Sequence, residues 1–130
     1  MSKAILVVDD EKEICTILSD NLSREGYRVF TAYNGKTALE LVRKEKPDLV
    51  LLDIKMPEMD GIEVLRRIKK MKKKIVVIML TAYGTLETAR KAMKLGAYEY
   101  ITKPFDLFLL KSIVKEVLKG PNEPTTGGER

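Results

Sequence analysis

The 130-residue chain has no histidine, no tryptophan and a single cysteine, Cys15. One cysteine excludes an internal disulfide bond and is consistent with a reducing compartment. Cys15 lies among Ile14, Ile17 and Leu18 at the spacing of one helix face. We therefore expect its thiol to be buried and unreactive.

Long apolar runs are missing as well. No run approaches the roughly 18 residues that are needed to cross a bilayer. The first residues, MSKAILVVDD, end in two aspartates at a point where a secretory signal would continue with apolar residues. These absences predict a cytoplasmic protein without membrane association. The composition, 45% apolar and 33% charged, suits one globular domain with a sizeable core.

Basic residues exceed acidic ones by 24 to 19, which gives a formal charge of +5. Much of the excess lies in residues 66–74, RRIKKMKKK, where Ile68 and Met71 have the spacing of an inner helix face. We interpret this segment as a solvated helix face that runs into a loop. The alternative is a phosphate-binding patch, but no aromatic residues interleave for base stacking, so we expect no direct nucleic acid binding.

Five apolar strand patterns alternate with five helix patterns, which predicts an α/β fold with a parallel sheet and helices on both faces. The first, third and fourth strands are the most apolar and should be central, which favours the strand order 2-1-3-4-5 of a flavodoxin-like sheet. The predicted strands are Ala4–Val8, Arg28–Ala32, Asp48–Leu52, Ile75–Leu80 and Tyr98–Thr102.

Helix boundaries have their own signals in the sequence. Helix N-caps are predicted at Asn34, Asp60 and Thr85, and the fifth helix is predicted to start at Asp106. Glu63, three residues after Asp60, predicts a capping box at the start of the third helix. The periodicity also predicts inward-facing positions that include Ile17, Leu86, Met93 and Leu109. Residues 1–119 therefore form the predicted domain, and 120–130, GPNEPTTGGER, are a disordered tail, the start of a linker or an appended expression tail.

Polar residues follow the predicted strands where the strands end. Asp9 and Asp10 follow the first strand, Asp53 the third, Thr81 the fourth and Lys103 the fifth. Because the carboxyl ends of parallel strands share one edge of the sheet, these side chains should converge. Taken singly, four of them have structural explanations: Asp10 as a helix cap, Asp53 and Thr81 as turn residues, and Lys103 as a solvated lysine. Together, three carboxylates repel one another unless a cation such as Mg²⁺ shares the site.

The same edge carries the groups that a phosphoryl transfer needs. A carboxylate can form an aspartyl phosphate, and Asp53 on the most central strand is the natural acceptor. Lys103 and Thr81 would hold the phosphoryl oxygens. The chain has no glycine-rich P-loop and no histidine, so the phosphoryl donor must be another molecule.

Four motifs in this order, VVDD, LLDIKMPEMDG, MLTAYG and YITKPF, cover the chain from Lys3 to about Leu118. With these motifs the sequence resembles the receiver domain of bacterial two-component response regulators. It is similar to the single-domain receivers of the sporulation phosphorelay and of chemotaxis. The resemblance implies a phosphorylation-dependent switch, not an enzyme, which accepts a phosphoryl group on Asp53 from a partner histidine kinase or phosphotransfer protein.

The resemblance also implies a set of Mg²⁺ ligands. Asp10 and Asp53 match the direct carboxylate ligands, and Lys55 matches a ligand through its backbone carbonyl. Asp9 matches a residue that contacts the metal through water. Lys55, with Tyr83, also looks bulky enough to hinder water, so we expect slow self-dephosphorylation.

The switch residues follow from the same resemblance. Thr81 matches the hydroxyl that binds the phosphoryl group, Lys103 the ammonium that pairs with it, and Tyr100 an aromatic ring that turns inward when Thr81 moves. The Lys103–Pro104 bond is expected to be cis. The readout face would be helix 4, strand 5 and helix 5, where an exposed Phe108 suggests a homodimer contact or edge packing.

Three other functions are considered at this point. The chain could be the receiver fragment of a DNA-binding response regulator, with a linker after Gly120. A Mg²⁺-dependent aspartyl-phosphate hydrolase is disfavoured, because Asp53 is followed by Ile54 and Lys55 and no second acid stands two residues on. A flavin or nucleotide domain is disfavoured because two acids replace the small residues that cradle phosphate.

Overall fold

The computed structural model describes residues 2–82 and 84–119, so the tail expected at 120–130 lies outside the described residues. Within them, five strands alternate with five helices. The strands are β1 Ala4–Val8, β2 Arg28–Ala32, β3 Leu49–Leu52, β4 Val76–Thr81 and β5 Glu99–Thr102. The helices are α1 Lys12–Arg24, α2 Gly35–Glu45, α3 Gly61–Met71, α4 Leu86–Lys94 and α5 Leu107–Leu118.

The strands form one parallel sheet in the order β2-β1-β3-β4-β5, which confirms the predicted flavodoxin-like topology. Every residue of β1 and β3 is buried, whereas the edge strands β2 and β5 are largely half-exposed. In the central strands Val8 pairs with Leu52, and Leu52 pairs with Met79. The polar residues that follow these strands therefore emerge at one edge of the sheet.

Alternate residues of β1 enter two different apolar clusters. Leu6 and Val8 belong to the cluster that contains the buried residues of α2, α3 and α4. Ile5 and Val7 belong to the cluster built with α1 and α5. Because successive side chains of a strand point to opposite faces, the two clusters show that helices cover both faces of the sheet, as predicted.

The predicted N-caps are confirmed. The side chains of Asn34, Asp60, Thr85 and Asp106 each accept a backbone N–H bond from the first turn of their helix. None of the helices in residues 2–82 and 84–119 is long and apolar enough to cross a membrane.

Five of the predicted inward-facing residues are exposed instead. Ile17 is 45%, Met71 37%, Leu86 68%, Met93 45% and Leu109 55% exposed. Each lies to the side of a narrower contact that the helix makes with the sheet, and α4 places only the small Ala92 in the core. Apolar periodicity therefore predicted a wider buried stripe than these helices have. Cys15 is buried as expected, and burial raises the pKa of its thiol to about 11.

Candidate functional site

Three carboxylates converge at the carboxyl edge of the sheet. Asp9 follows β1 and Asp53 follows the neighbouring β3, and one carboxylate oxygen from each of Asp9, Asp10 and Asp53 lies within 4.8 Å of the other two. Asp9 and Asp53 are buried, while Asp10 is exposed. The cluster is thus open to solvent on one side and enclosed on the other. Oxygen donors in this arrangement suit a hard divalent cation.

Lys103 reaches the cluster from the end of β5. Its Nζ lies 2.6 Å from Asp9 Oδ2, 3.5 Å from Glu11 Oε1 and 3.7 Å from Asp53 Oδ2. Its side chain is 11% exposed, so the explanation of Lys103 as a solvated lysine is wrong. Burial opposes its charge, but the hydrogen bond that Lys103 donates to Asp9 and the charges of Asp53, Asp9 and Glu11 outweigh burial and raise the pKa of Lys103.

Opposing effects act on the pKa of Asp9. Burial is the main cause that raises the pKa of Asp9, and the charge of Asp53 adds to it, while the hydrogen bonds from Lys103 and from the backbone N–H of Glu11 act in the other direction. Asp9 Oδ1 accepts that Glu11 bond at 2.9 Å. A single ammonium therefore leaves the negative charge of the cluster incompletely balanced. The N-cap position of α1 is occupied by Glu11, which does not support the explanation of Asp10 as the helix cap.

Thr81 and Tyr100 occupy the neighbouring strands β4 and β5. Thr81 is the last residue of β4 and is fully buried. Tyr100 is half-buried, and its hydroxyl lies 3.1 Å from Thr88 Oγ1 on α4. Thr88 Oγ1 also donates to the backbone carbonyl of Thr85 at 3.0 Å. Tyr100 thus connects the strand next to Thr81 with the first turn of α4.

The loop from β3 to α3 is folded tightly against the end of β3. The backbone N–H of Gly61 donates to the carbonyl of Ile54 at 2.7 Å. A Cβ at Gly61 would meet the Asp53 carbonyl and lie 2.7 Å from Ile54 Cα. Lys55 is exposed on this loop. This close backbone approach fixes the path of the chain where it leaves β3 at Asp53. The loop therefore positions the Asp53 carboxylate.

Two further expectations concern the neighbouring loops. The Lys103–Pro104 peptide bond is cis, as expected. Tyr83, the expected partner of Lys55, lies outside the described residues.

Residues 5–115 match the family model of the response regulator receiver domain. The chain belongs to this family. The resemblance that the four motifs indicated is therefore confirmed, and with it a place for the receiver domain in two-component signalling.

Relatives of the receiver domain include proteins of two lengths. The chain is 47% identical over 118 residues to the sporulation initiation phosphotransferase F of Bacillus subtilis (strain 168). This match covers 91% of this chain and 95% of that protein. The chain is 44% identical over 115 residues to the regulatory protein AtoC of Escherichia coli (strain K12), covering 88% of this chain but only 25% of AtoC. Among solved structures, the response regulator TrrA of Thermotoga maritima in complex with Mg²⁺-BeF has a TM-score of 0.81 and 43% identity over 89% of this chain and 99% of TrrA.

Sequence reasoning placed the central residues of the receiver domain at one edge but missed two of their neighbours. The structure brings together Asp9, Asp10, Asp53 and Lys103. It adds Glu11, as a third carboxylate near Lys103. It also adds Thr88, the partner of the Tyr100 hydroxyl. Neither had a sequence signal, because each contact depends on how a helix start lies over the sheet.

Proposed function

We propose that this receiver domain is a phosphorylation-dependent switch in which Asp53 accepts a phosphoryl group from a partner histidine kinase or phosphotransfer protein. The observation that carries the proposal is the convergence of three carboxylates and Lys103 at one edge of the sheet. The family resemblance matches Asp53 to the phosphorylated aspartate, and the geometry favours the same residue. Both carboxylate oxygens of Asp9 already accept hydrogen bonds, from Lys103 and from the backbone N–H of Glu11, and Asp10 is exposed. Asp53 is buried with the Lys103 ammonium 3.7 Å away.

The donor set supports a Mg²⁺ site. Asp10, Asp53 and the backbone carbonyl of Lys55 would hold the ion directly, and Asp9 would contact it through water. Three carboxylates balanced by one ammonium leave negative charge that a divalent cation offsets. When bound, Mg²⁺ supplies neutralising charge for the incoming phosphoryl group. The relative TrrA was solved with Mg²⁺-BeF, which supports the same assignment.

The chemical step assigns distinct roles to the chain's own residues. An Asp53 carboxylate oxygen forms a bond to phosphorus while the bond from phosphorus to the donor's imidazole nitrogen breaks, and the imidazole leaves with the electron pair. The Lys103 ammonium, 3.7 Å from Asp53, is close enough to pair with a phosphoryl oxygen after a small shift. The Thr81 hydroxyl would bind another oxygen. These groups stabilise charge and orient the phosphoryl group.

The direct test uses acetyl phosphate as the donor. We expect the purified chain to gain the mass of one phosphoryl group in the presence of Mg²⁺, with the modification mapped to Asp53, and to gain none when the metal is chelated. A chain that stays unmodified with Mg²⁺, or that is modified elsewhere, would contradict the proposal. Repeated turnover of small phosphomonoesters would favour the hydrolase alternative instead.

Mg²⁺ is expected to raise the thermal unfolding temperature. A ligand that binds only the folded state stabilises it by mass action, and here it also offsets repulsion among the three carboxylates. The Asp10→Asn variant should lose most of this rise, because Asp10 is the exposed member of the cluster. Asp20→Asn, at an exposed aspartate on α1, is the matched control and should respond as the wild type does. Equal responses of both variants in a thermal melt would argue against the assigned ligands.

The signal would leave the site through Thr81 and Tyr100. Movement of Thr81 toward the phosphoryl group would open space beside β5, and the Tyr100 ring would turn inward. That rotation breaks the bond from the Tyr100 hydroxyl to Thr88 and so releases the first turn of α4. The face of α4, β5 and α5 would then change. Phe108 on this face is 77% exposed and would contact a partner or a second copy of the chain.

Removing the Tyr100 hydroxyl should imitate part of this change. In Tyr100→Phe we expect the backbone amide NMR signals of α4 and β5 to shift toward their phosphorylated positions before any phosphoryl donor is added. Thr88→Val removes the same bond from the other side and should shift the same signals. Tyr98→Phe, at an exposed tyrosine nearby, is the control. If Tyr100→Phe leaves the signals of α4 unmoved, the hydroxyl bond does not restrain the switch.

Slow self-dephosphorylation also remains part of the proposal. Lys55 is exposed on the loop beside Asp53, where its side chain could obstruct an attacking water.

A further inference from the structure

The end of the molecule opposite the carboxylates is strongly basic. In a parallel α/β fold each helix runs back against its strands, so α2 and α3 end at the amino edge of the sheet, away from Asp53. Six exposed cations cluster there, and we call them the α2–α3 basic surface: Arg43, Lys44, Lys46, Lys72, Lys73 and Lys74.

Helix stabilisation explains only part of this surface. Cations in the last turn of a helix interact favourably with its dipole, and the effect fades beyond that turn. Arg43 and Lys44 lie in the last turn of α2. Lys72 is the C-cap of α3, and Lys73 and Lys74 lie beyond it. Among the described residues, none of the six cations has a carboxylate within 4 Å, so no ion pair offsets their mutual repulsion.

A groove with an apolar floor runs through the basic surface. It measures about 460 Å³ and is lined by Val42, Arg43, Lys46, Met71 and Lys72. Val42 is buried, and Met71 is 37% exposed, so the floor between the cations is apolar. A methionine side chain adapts readily to the shape of an inserted group.

The loop that carries the last cations is held in place. The Lys69 ammonium donates to the backbone carbonyls of Lys73 at 3.1 Å and Ile75 at 2.6 Å. Burial lowers the pKa of Lys69, which is half-exposed and differs in this respect from the exposed lysines that follow it. A fixed loop presents its charges with little ordering cost on binding.

We propose that the α2–α3 basic surface docks an acidic segment of a partner protein, with an apolar side chain of that segment in the groove. The pairing of unbalanced cations with an apolar floor fits acidic side chains interspersed with an apolar one. Nucleic acid fits less well, because no groove residue is aromatic and phosphates do not need an apolar floor. The surface lies opposite Asp53, so docking there is sterically compatible with phosphorylation.

Peptide binding to the full chain tests this surface. The probe is a fluorescein-labelled glutamate-rich peptide with leucine at every fourth position, and a second peptide has serine in place of leucine. We expect saturable binding of the leucine peptide by fluorescence anisotropy, weakened by added salt. The serine peptide should bind roughly tenfold more weakly or worse, on the order of the effect of losing one buried apolar side chain. Met71→Ser should reduce the difference between the two peptides.

Charge reversal identifies the binding surface. The triple variant Arg43→Glu, Lys46→Glu, Lys72→Glu should bind the leucine peptide at least about tenfold more weakly. The matched control, Arg90→Glu, Lys91→Glu, Lys94→Glu, makes the same change in net charge on α4 and should bind as the wild type does. Circular dichroism melts verify that both fold. Equal losses in the two triple variants, equal binding of the two peptides, or tighter binding of a DNA duplex or phosphatidylserine vesicles would overturn the proposal.

Discussion

Asp53→Asn is expected to abolish phosphorylation of the chain by acetyl phosphate. Asparagine has nearly the shape of aspartate, but its amide oxygen is uncharged and a poor nucleophile. The substitution also removes one of three neighbouring negative charges, so we expect the variant to be at least as stable as the wild type without Mg²⁺. Intact mass spectrometry after incubation with acetyl phosphate and Mg²⁺ measures the effect.

A second aspartate variant shows whether the effect is specific to the proposed acceptor or follows from the loss of any carboxylate. Asp20 lies exposed on α1, away from the strand ends, so Asp20→Asn should gain the phosphoryl mass as the wild type does. Thermal melts of both variants show whether the fold is retained. If Asp53→Asn is phosphorylated to the wild-type extent, Asp53 is not the acceptor.

Gly61→Ala is expected to destabilise the fold by about 3 kcal/mol or more. Overpacking typically lowers the free energy of unfolding by about 1–3 kcal/mol, occasionally more. The loss is smaller where the obstructing atoms belong to a flexible side chain that can move. Here the added Cβ would meet backbone atoms, the carbonyl of Asp53 and the Cα of Ile54, which cannot rotate away. Urea unfolding of the variant and the wild type gives the difference in free energy.

Gly35→Ala provides the matched control. Gly35 is the first residue of α2, as Gly61 is of α3, and both are buried. A Cβ at Gly35 would meet only side-chain atoms of Val64, at 2.9 Å, and of Met59, at 3.1 Å. These side chains can move, so the loss should be clearly smaller. Equal losses for the two variants would show that the close approach of the β3–α3 loop is not the cause.

The sheet and its polar edge were predictable from the sequence because both depend on local patterns. An apolar run bounded by polar residues determines which residue emerges at the end of a buried strand. Asp9, Asp53 and Lys103 follow β1, β3 and β5 in this way. Once the strand order is given, the residues that follow neighbouring strands must lie close together.

Contacts between elements were not predictable in the same way. Asp60 caps α3 as expected, but the Glu63 carboxylate binds Arg66 and Arg67 on the following turn, so only half of the predicted capping box is present. Exposed ion pairs of similar energy compete for such a side chain. The face of a helix that is buried also depends on the neighbouring elements, which is why Ile17 and Leu109 were placed incorrectly.

Lys69 connects the two segments that lead into the neighbouring strands β4 and β5. Its ammonium holds the α3–β4 loop, while its methylene groups lie beside Gly96, where a Cβ would be 3.4 Å from Lys69 Cε. Gly96 belongs to the turn through which α4 leads into β5. One aliphatic stem thus supports the entrance to the strand that carries Tyr100. Truncation of this side chain to alanine would therefore loosen both segments at once.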